Sequence, residues 1–327
     1  MILGNQVNRL FSIVIPAYKT LYLREAIRSI LNQTYANLEL IIVDDASPED
    51  IKSIVCEFND ARIRYYRNEK NCGAIDVVDN WNICLSYAKG DYIICMGDDD
   101  RLLPYCLEEY VKLMEKYPGL KVYHAGTELI DEKSNFYTLQ QPRPEYETAL
   151  SLAWNRWNGR DKQYIGDFCY EANALRKDGG FYKLPLAWGS DDITAVRAAM
   201  HGGIANMQVV CFQYRVNRHT ITNTGNAEQK IKAVLQAKNW FLHFIKQQEE
   251  NKTLSQLELK YLQCLKHDLP VYYVQRIKDV LSKEKDVNLL HFLKWNRNVS
   301  NYGIGHLDVL KCWIKALRTR LKRGIDY

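Results

Sequence analysis

The chain of 327 residues has no apolar run approaching the ~18 residues that a bilayer-spanning helix needs. Its longest such stretches lie near 11–17 and 40–43. The N-terminus also lacks a basic region leading into a long apolar one, so no signal peptide is expected and the cytoplasm is the expected address. None of the nine cysteines forms a C-x-x-C pair, their number is odd, and several sit inside apolar runs such as Ile93-Ile94-Cys95-Met96. A disulfide framework and a zinc site are thereby excluded in favour of buried thiols. Charge of one sign is not in excess either: 44 Lys and Arg against 39 Asp and Glu leave only +5. Basic residues and aromatics cluster in no recognised module, so a nucleic-acid partner is not expected. Repeats and low-complexity tracts are missing as well. What remains, 47% hydrophobic and 25% charged, is the composition of a globular protein with a sizeable core and roughly two domains.

The first 130 residues alternate between two periods. FSIVIP (11–16), LELIIV (38–43), 62–67, DYIICM (91–96) and 120–125 read as short buried strands. Between them, apolar spacing predicts helices at 21–31, from about 48, at 75–88 and at 104–116, with Ser47 as cap and Pro48 in the first turn of the second. Strands alternating with helices imply βαβ units and an α/β fold with a mostly parallel central sheet covered on both faces. Residues 131–190, rich in Tyr, Trp, Asn, Gly and Pro, read as loops and short strands. A helix at 190–201, a strand at 207–214 and a helical region from 226 onward complete the pattern.

Open α/β sheets bind ligands beyond the carboxyl ends of their strands. G-x-G-x-x-G, the P-loop and the G-x-S-x-G elbow are all absent there. Carboxylates take their place: Asp44-Asp45 closes the second strand, and Gly97-Asp98-Asp99-Asp100 follows the fourth. Three consecutive acids repel one another unless a cation is shared. A hard ion such as Mn²⁺ or Mg²⁺, held by one or two carboxylates and completed by diphosphate oxygens and water, suits them. The bland alternative is a solvated acidic turn that caps the next helix.

Several blocks in order, SIVIPAY (12–18), EAIRSILNQTYANLELIIVDDAS (25–47), NEKNCGAIDVVDNWNICLSYAKGDYI (68–93) and MGDDDRLLP (96–104), resemble the inverting GT-A glycosyltransferases of family 2. The resemblance implies a GT-A catalytic domain over 1–225. Its nucleotide-binding half would cover about 10–130 and its acceptor-binding half about 131–225, followed by a helical region at 226–327. It implies that Pro16, Ala17 and Tyr18 line the nucleotide pocket, with Asp44 and Asp45 beside them and Asp45 on the base edge. Asp99 would be the main metal ligand, Asp100 its assistant and Asp98 the neighbour of the ribose. Asn82, with Trp81, would face the donor crevice. Gly97 and Lys19 depart from the family, where Asp and Asn are usual.

Inverting transfer is a single displacement, so a carboxylate must take the acceptor hydroxyl's proton. The resemblance puts an acidic pair at the start of the 190–201 helix, where Asp192 is favoured as the base and Asp191 as its neighbour. It also suggests His219 as a metal ligand, with Arg215 and Arg218 clamping phosphate oxygens. His124, His201 and His243 read as structural. Trp154 and Trp157, expected in an aromatic loop, are offered to sugar faces or to packing.

The resulting expectation is a metal-dependent inverting glycosyltransferase that uses a nucleotide-sugar donor of the UDP class and a polysaccharide or lipid-linked glycan acceptor. The alternatives are a nucleotidyltransferase and a non-catalytic nucleotide- or sugar-binding module. Segment 306–327 alternates apolar residues at helical spacing with six basic ones, against Asp308 and Asp326. Such a helix suits peripheral contact with the inner membrane, or a dimer, or plain packing.

Overall fold

The computed structural model describes residues 8–217, 227–285 and 287–323, without the side chains of 322 and 323. The chain divides into two compact units. The first comprises Met1–Lys183 with Ser190–Thr220, the second Leu184–Gly189 with Ile221–Tyr327.

The first unit opens with β1 (Phe11–Ala17), α1 (Leu23–Leu31), β2 (Leu38–Asp44), α2 (Ile51–Cys56), β3 (Ile63–Arg67), α3 (Val77–Tyr87) and β4 (Tyr92–Cys95). Strands β3, β2, β1 and β4 are adjacent in that order and all parallel. Side chains alternate across the sheet, so β1 feeds both of its faces. Phe11, Ile13, Ile15 and Ala17 join one core with α1 and α2. On the opposite face α3 lies against β1, β2 and β4, burying Val78, Trp81, Cys84 and Leu85. Helix α2 starts later than its sequence suggests. Asp50, not Ser47, is the N-cap, accepting from the Ser53 amide, because the Ser47 hydroxyl donates to the Tyr18 carbonyl instead.

Pro16 explains where this sheet opens. The Val14 carbonyl accepts from Met96 N (2.9 Å), and the Ala17 carbonyl accepts from Asp45 N (3.0 Å). Even-numbered residues of β1 therefore face β4, odd-numbered ones β2. The N–H that Pro16 lacks would point past the end of β4, whose pairing stops at Val14–Cys95.

The unit continues with β5 (Arg101–Leu102), α4 (Cys106–Lys116), β6 (Val122–Ile130), β7 (Phe136–Leu139), β8 (Tyr146–Glu147), α5 (Ala149–Trp157), β9 (Phe168–Glu171), α6 (Ala172–Lys177), α7 (Ser190–Ala199) and β10 (Ile204–Arg215). The sheet runs β3-β2-β1-β4-β9-β6-β10-β5, with β7 on β6 and β8 on β10. Its second half is mixed: β6 and β10 are parallel, whereas β9, β5, β7 and β8 pair antiparallel. The 131–190 segment thus holds helices as well as strands. Trp154 and Trp157 lie on α5, a helix that the aromatic composition concealed.

Strand β10 bulges against β6, since Asn206 faces His124 while Val210 faces Gly126. Gly126 makes room for that bulge: a Cβ there would meet the Val209 carbonyl oxygen at 2.2 Å and its carbon at 2.8 Å. The bulge lets β10 run on to Arg215, beside the acidic turn after β4.

The second unit is helical: α8 (Ala227–Glu249), α9 (Gln256–Ser282), α10 (Leu289–Arg297), α11 (Val299–Tyr302) and α12 (His306–Arg323). Ser255 and Glu258 close α9 with a reciprocal capping box. Phe241, Phe244 and Ile245 of α8 and Leu265, Leu269 and Ile277 of α9 are buried. Trp188, from the Leu184–Gly189 segment, has Lys230 and Arg276 over its ring at 4.9 and 5.2 Å. Among the described residues no helix is long and apolar enough to cross a membrane.

Backbone cannot yield to a new methyl as a side chain can. Gly126→Ala is therefore expected to lower stability by about 1–3 kcal/mol, read as the shift in urea midpoint. An unchanged midpoint would show that the bulge relaxes freely.

Candidate active site

The carboxyl ends of β1, β2 and β4 carry most of the anticipated residues. Ala17 is buried opposite Asp44, Pro16 is half-buried and Tyr18 is exposed. Asp44 is fully buried. Its Oδ1 accepts from Ser47 N (2.8 Å), and its Oδ2 accepts from the Tyr65 hydroxyl (2.8 Å) and the Arg67 guanidinium. With both oxygens engaged inside the protein, Asp44 holds the turn after β2 rather than facing a ligand. Asp45 is aimed differently. Its Oδ1 accepts from Asn68 Nδ2 (2.8 Å) and Cys72 N (3.0 Å), while Asn71 Nδ2 reaches its carbonyl (2.6 Å). Asn68 Nδ2 also donates to Asn80 Oδ1, so Asn68, backed by Asn80, orients the carboxylate while Asn71 holds the main chain.

The acidic turn is tied to the β1 loop through a single oxygen. Asp98 Oδ2 accepts from the backbone amides of Tyr18 (2.8 Å) and Lys19 (2.7 Å). Burial and then the Asp99 charge push the Asp98 carboxyl up to about 6, against those amides and the Lys19 charge. Asp99 Oδ2 accepts from Asn217 Nδ2 (2.5 Å), and Asp100 Oδ1 accepts from Arg215 N (2.9 Å). Burial raises both carboxyls, Asp100 well above the ordinary range.

Gly97 completes the turn. A Cβ on it would meet both Asp99 Oδ1 and Asp100 Oδ2 at 2.9 Å. Those two oxygens, the ones not engaged by Asn217 or Arg215 N, converge over the glycine. Two crowded, desolvated carboxylate oxygens with charge left to neutralise fit a hard divalent cation that takes its other ligands from diphosphate and water. No group of three or more His, Cys, Asp or Glu side chains is arranged to hold a metal among the described residues. His219 and Arg218 lie outside the described residues.

Arg215 differs from its expected role. It is fully buried, and its donors are spent within the protein rather than held out to phosphate. Nε donates to the Asp99 carbonyl (2.8 Å), and Nη1 to the Asp131 carbonyl (3.1 Å) and Ser134 Oγ (2.8 Å). Nη2 donates to Glu25 Oε2 (2.9 Å), and the guanidinium lies 4.0 Å from the Tyr22 ring centroid.

The acidic pair opens α7, where the first-turn amides favour negative charge. Asp192, favoured from sequence as the base, is buried and accepts from Arg156 Nε (2.6 Å). Asp191 is pushed up to about 7 by burial and then by the Asp192 charge, against the pull of Arg156. The Tyr214 hydroxyl is raised by burial and further by the charges of Asp100, Asp99 and Asp191. Asn82 stands apart from the donor crevice in its bonding. Its Oδ1 accepts from Phe181 N (2.8 Å) and its Nδ2 donates to the Phe181 carbonyl (3.2 Å). Trp81 is buried edge-on to Phe181, a packing residue. His124 is buried beside Asp167, and the exposed His201 pairs with Asp178.

Against this geometry, the model of the family described as glycosyl transferase family 2 matches residues 12–179. The chain belongs to glycosyl transferase family 2. The match takes in the β1 loop, the acidic turn and α5, and ends before α7. Among curated relatives, an uncharacterized glycosyltransferase of Rickettsia typhi is 33% identical over 144 residues, 43% of this chain and 44% of its own length. GlyG of Streptococcus pneumoniae is 37% identical over 159 residues, 47% of this chain and 52% of its own. The Escherichia coli UDP-Glc:alpha-D-GlcNAc-diphosphoundecaprenol beta-1,3-glucosyltransferase WfgD is 34% identical over 126 residues, 38% and 48% of the two chains. The chain spans about half the length of these relatives. Among solved structures, S. aureus TarS 1–349 in complex with UDP-GlcNAc has a TM-score of 0.65 at 13% identity, over 95% of this chain and 89% of that one. The mannosyltransferase PcManGT from Pyrobaculum calidifontis, in complex with GDP-Man and Mn²⁺, has a TM-score of 0.52 at 17% identity, over 95% and 86%. Identity this low speaks for the fold alone, and that fold is GT-A.

Sequence reasoning in the family frame missed Asn68, Asn71, Asn80 and Arg156. Asn68 and Asn71 lie in the NEKNCG block, and a buried acid needs hydrogen-bond partners of this kind. Arg156 carried no signal, because its partner is 36 positions away.

Removing the buried guanidinium strands Glu25 and the Asp99 carbonyl. Arg215→Met is expected to cost about 3–5 kcal/mol in urea unfolding. Arg215→Lys should recover under half of that, since one ammonium cannot serve four directions. A lysine variant as stable as the wild type would refute the role.

Proposed function

We propose that this family 2 chain transfers a sugar from a nucleotide-diphosphate sugar, of the UDP class, to a hydroxyl of a polysaccharide or lipid-linked oligosaccharide, with inversion. The carrying observation is the acidic turn after β4, where Asp98 holds the amides of the β1 loop while Asp99 Oδ1 and Asp100 Oδ2 converge over Gly97. The UDP-glucose and diphosphoundecaprenol in the name of WfgD, and the UDP-GlcNAc bound by TarS, support the donor and acceptor classes. The reading places the enzyme in the cytoplasm, at the inner face of the membrane.

The donor's base would meet Asp45, oriented by its asparagines, and its diphosphate the amide-bound loop of Tyr18 and Lys19. Asp99 and Asp100 would hold Mn²⁺ or Mg²⁺, whose charge would offset the charge growing on the departing diphosphate. The acceptor oxygen forms its bond to the anomeric carbon as the bond from that carbon to the diphosphate oxygen breaks. The acceptor's proton passes to the Asp191–Asp192 pair, and the nucleoside diphosphate leaves. Arg156 fixes Asp192, and the raised Asp191 carboxyl is matched to taking a proton near neutral pH.

Thermal melts with UDP, GDP, dTDP and CDP, each with Mn²⁺ or EDTA, test the donor and the metal together. At a hundred times its Kd the true nucleotide adds ~2.7 kcal/mol, a shift of a few degrees. The expected result is a UDP shift that needs metal and vanishes in Asp99→Ala. A well-folded protein that no nucleotide stabilises would overturn the reading.

A base must be ionised, so kcat/KM is expected to rise with pH through about 7 and then level off. Asp191→Asn should remove that limb and lower kcat/KM about 10²–10⁴-fold. The same raised carboxyl destabilises the fold as pH climbs from its unfolded value of about 3.9 towards 7. Asp191→Asn should therefore gain most in melting temperature at pH 8 and least at pH 4. An equal gain at both would contradict the assignment.

A further inference from the structure

Helix α12 has two apolar faces. Val309, Cys312 and Ala316 are buried in the helical unit. On the other side Leu307 (63%), Leu310 (37%), Ile314 (37%) and Leu321 (67%) are exposed. At about 100° per residue these four fall within roughly 60° of the helix circumference. Lys311, Arg318 and Lys315 follow directly beside them, in the next ~80°. Helix α10 packs on α12 through Phe292 and Trp313, whose rings lie 5.2 Å apart, and through Trp313 Nε1, which donates to the Asn288 carbonyl (3.0 Å). It exposes Leu289 (61%), Leu290 (74%) and Leu293 (45%). The single acid of α12, Asp308, is tied to Lys278 (2.9 Å), which leaves the basic edge of the strip uncompensated on its own helix.

We propose that this strip of α10 and α12 lies flat on an anionic lipid bilayer. The leucines and Ile314 would sit at the acyl boundary, with Lys311, Lys315 and Arg318 at the level of the lipid phosphates. Charge decides between the candidate occupants. A second copy docked through the same strip would bring two basic edges together, whereas anionic headgroups neutralise them. The strip would attach the chain at the surface, and among the described residues no helix is long and apolar enough to cross the bilayer. The inference deepens the lipid-linked part of the proposed function, and it stands on residues that take no part in nucleotide binding.

Sedimentation of the full chain with phosphatidylglycerol/phosphatidylethanolamine vesicles, and with phosphatidylcholine vesicles, provides the test. Partition is expected on the anionic vesicles, weaker on the neutral ones and falling with salt. The triple change K311Q/K315Q/R318Q should weaken it on the order of a hundred-fold. L310S/I314S/L321S should abolish it while the helical circular-dichroism signal is retained. Wild-type protein that stays in the supernatant at low salt, or that binds both vesicles equally, overturns the proposal without recourse to any variant. So does a dimer in analytical ultracentrifugation that the serine changes dissociate while partition persists. The UDP melt on the same samples keeps the two readings apart. Lost partition with an intact UDP shift refutes only the membrane strip, and a missing UDP shift with intact partition refutes only the transferase.

Discussion

The site depends on one buried cation. Arg215 closes β10, and its guanidinium reaches the Asp99 carbonyl, Glu25 on α1 and the turn between β6 and β7. A buried guanidinium without partners would be prohibitively costly, so these elements must assemble together or not at all. Geometry follows from that constraint. The carbonyl of Asp99 is fixed from behind, its carboxylate is left to turn forward over Gly97, and Asp100 is held by the amide of the same arginine. Glu25, which burial alone would push towards neutrality, stays acidic through Ser134, Arg215 and Arg101.

A second feature works at the front of the turn. Asp98 binds two successive amides of the β1 loop through one oxygen, so the loop and the acidic cluster move as one piece. The segment after β3 and helix α3 orient Asp45 through the neutral amides of Asn68 and, behind it, Asn80. Around Asp98 and Asp45 the supporting bonds are thus backbone or amide, whereas Asp44 and Asp192 are held by the guanidinium groups of Arg67 and Arg156.

Much of this was legible in the sequence because it is local. Buried strands of Ile and Val, helical spacing between them and acids at strand ends are patterns within a dozen residues, and they lead to the α/β fold and to Asp45, Asp99 and Asp100. The failures are long-range. Arg215 looks like a phosphate clamp until its partners, 81 to 190 positions away, are known. Asp44 and Asp45 are equivalent on paper. Both are buried, and the fold turns one to Tyr65 and Arg67 and the other to Asn68 and the Cys72 amide. Asn82 appears ligand-facing until Phe181 is found against it. Helix α5 was hidden because its aromatic residues suit both loops and helices, and the side chain of its N-cap, Thr148, accepts from Ser151 N within its own first turn. The mixed half of the sheet is likewise decided by pairings that no short window contains.

Pro16 has a consequence for how wide the crevice can be. A parallel ladder extends itself whenever a donor meets an acceptor, and a strand flanked on both sides tends to knit shut to its last residue. An imino acid placed one step beyond the final rung works as a stop stitch. The neighbouring chain finds nothing to hold and is free to veer off into Gly97 and the acids behind it. The mouth of the site is therefore set by a missing hydrogen, a boundary that no side-chain rearrangement nearby can erase.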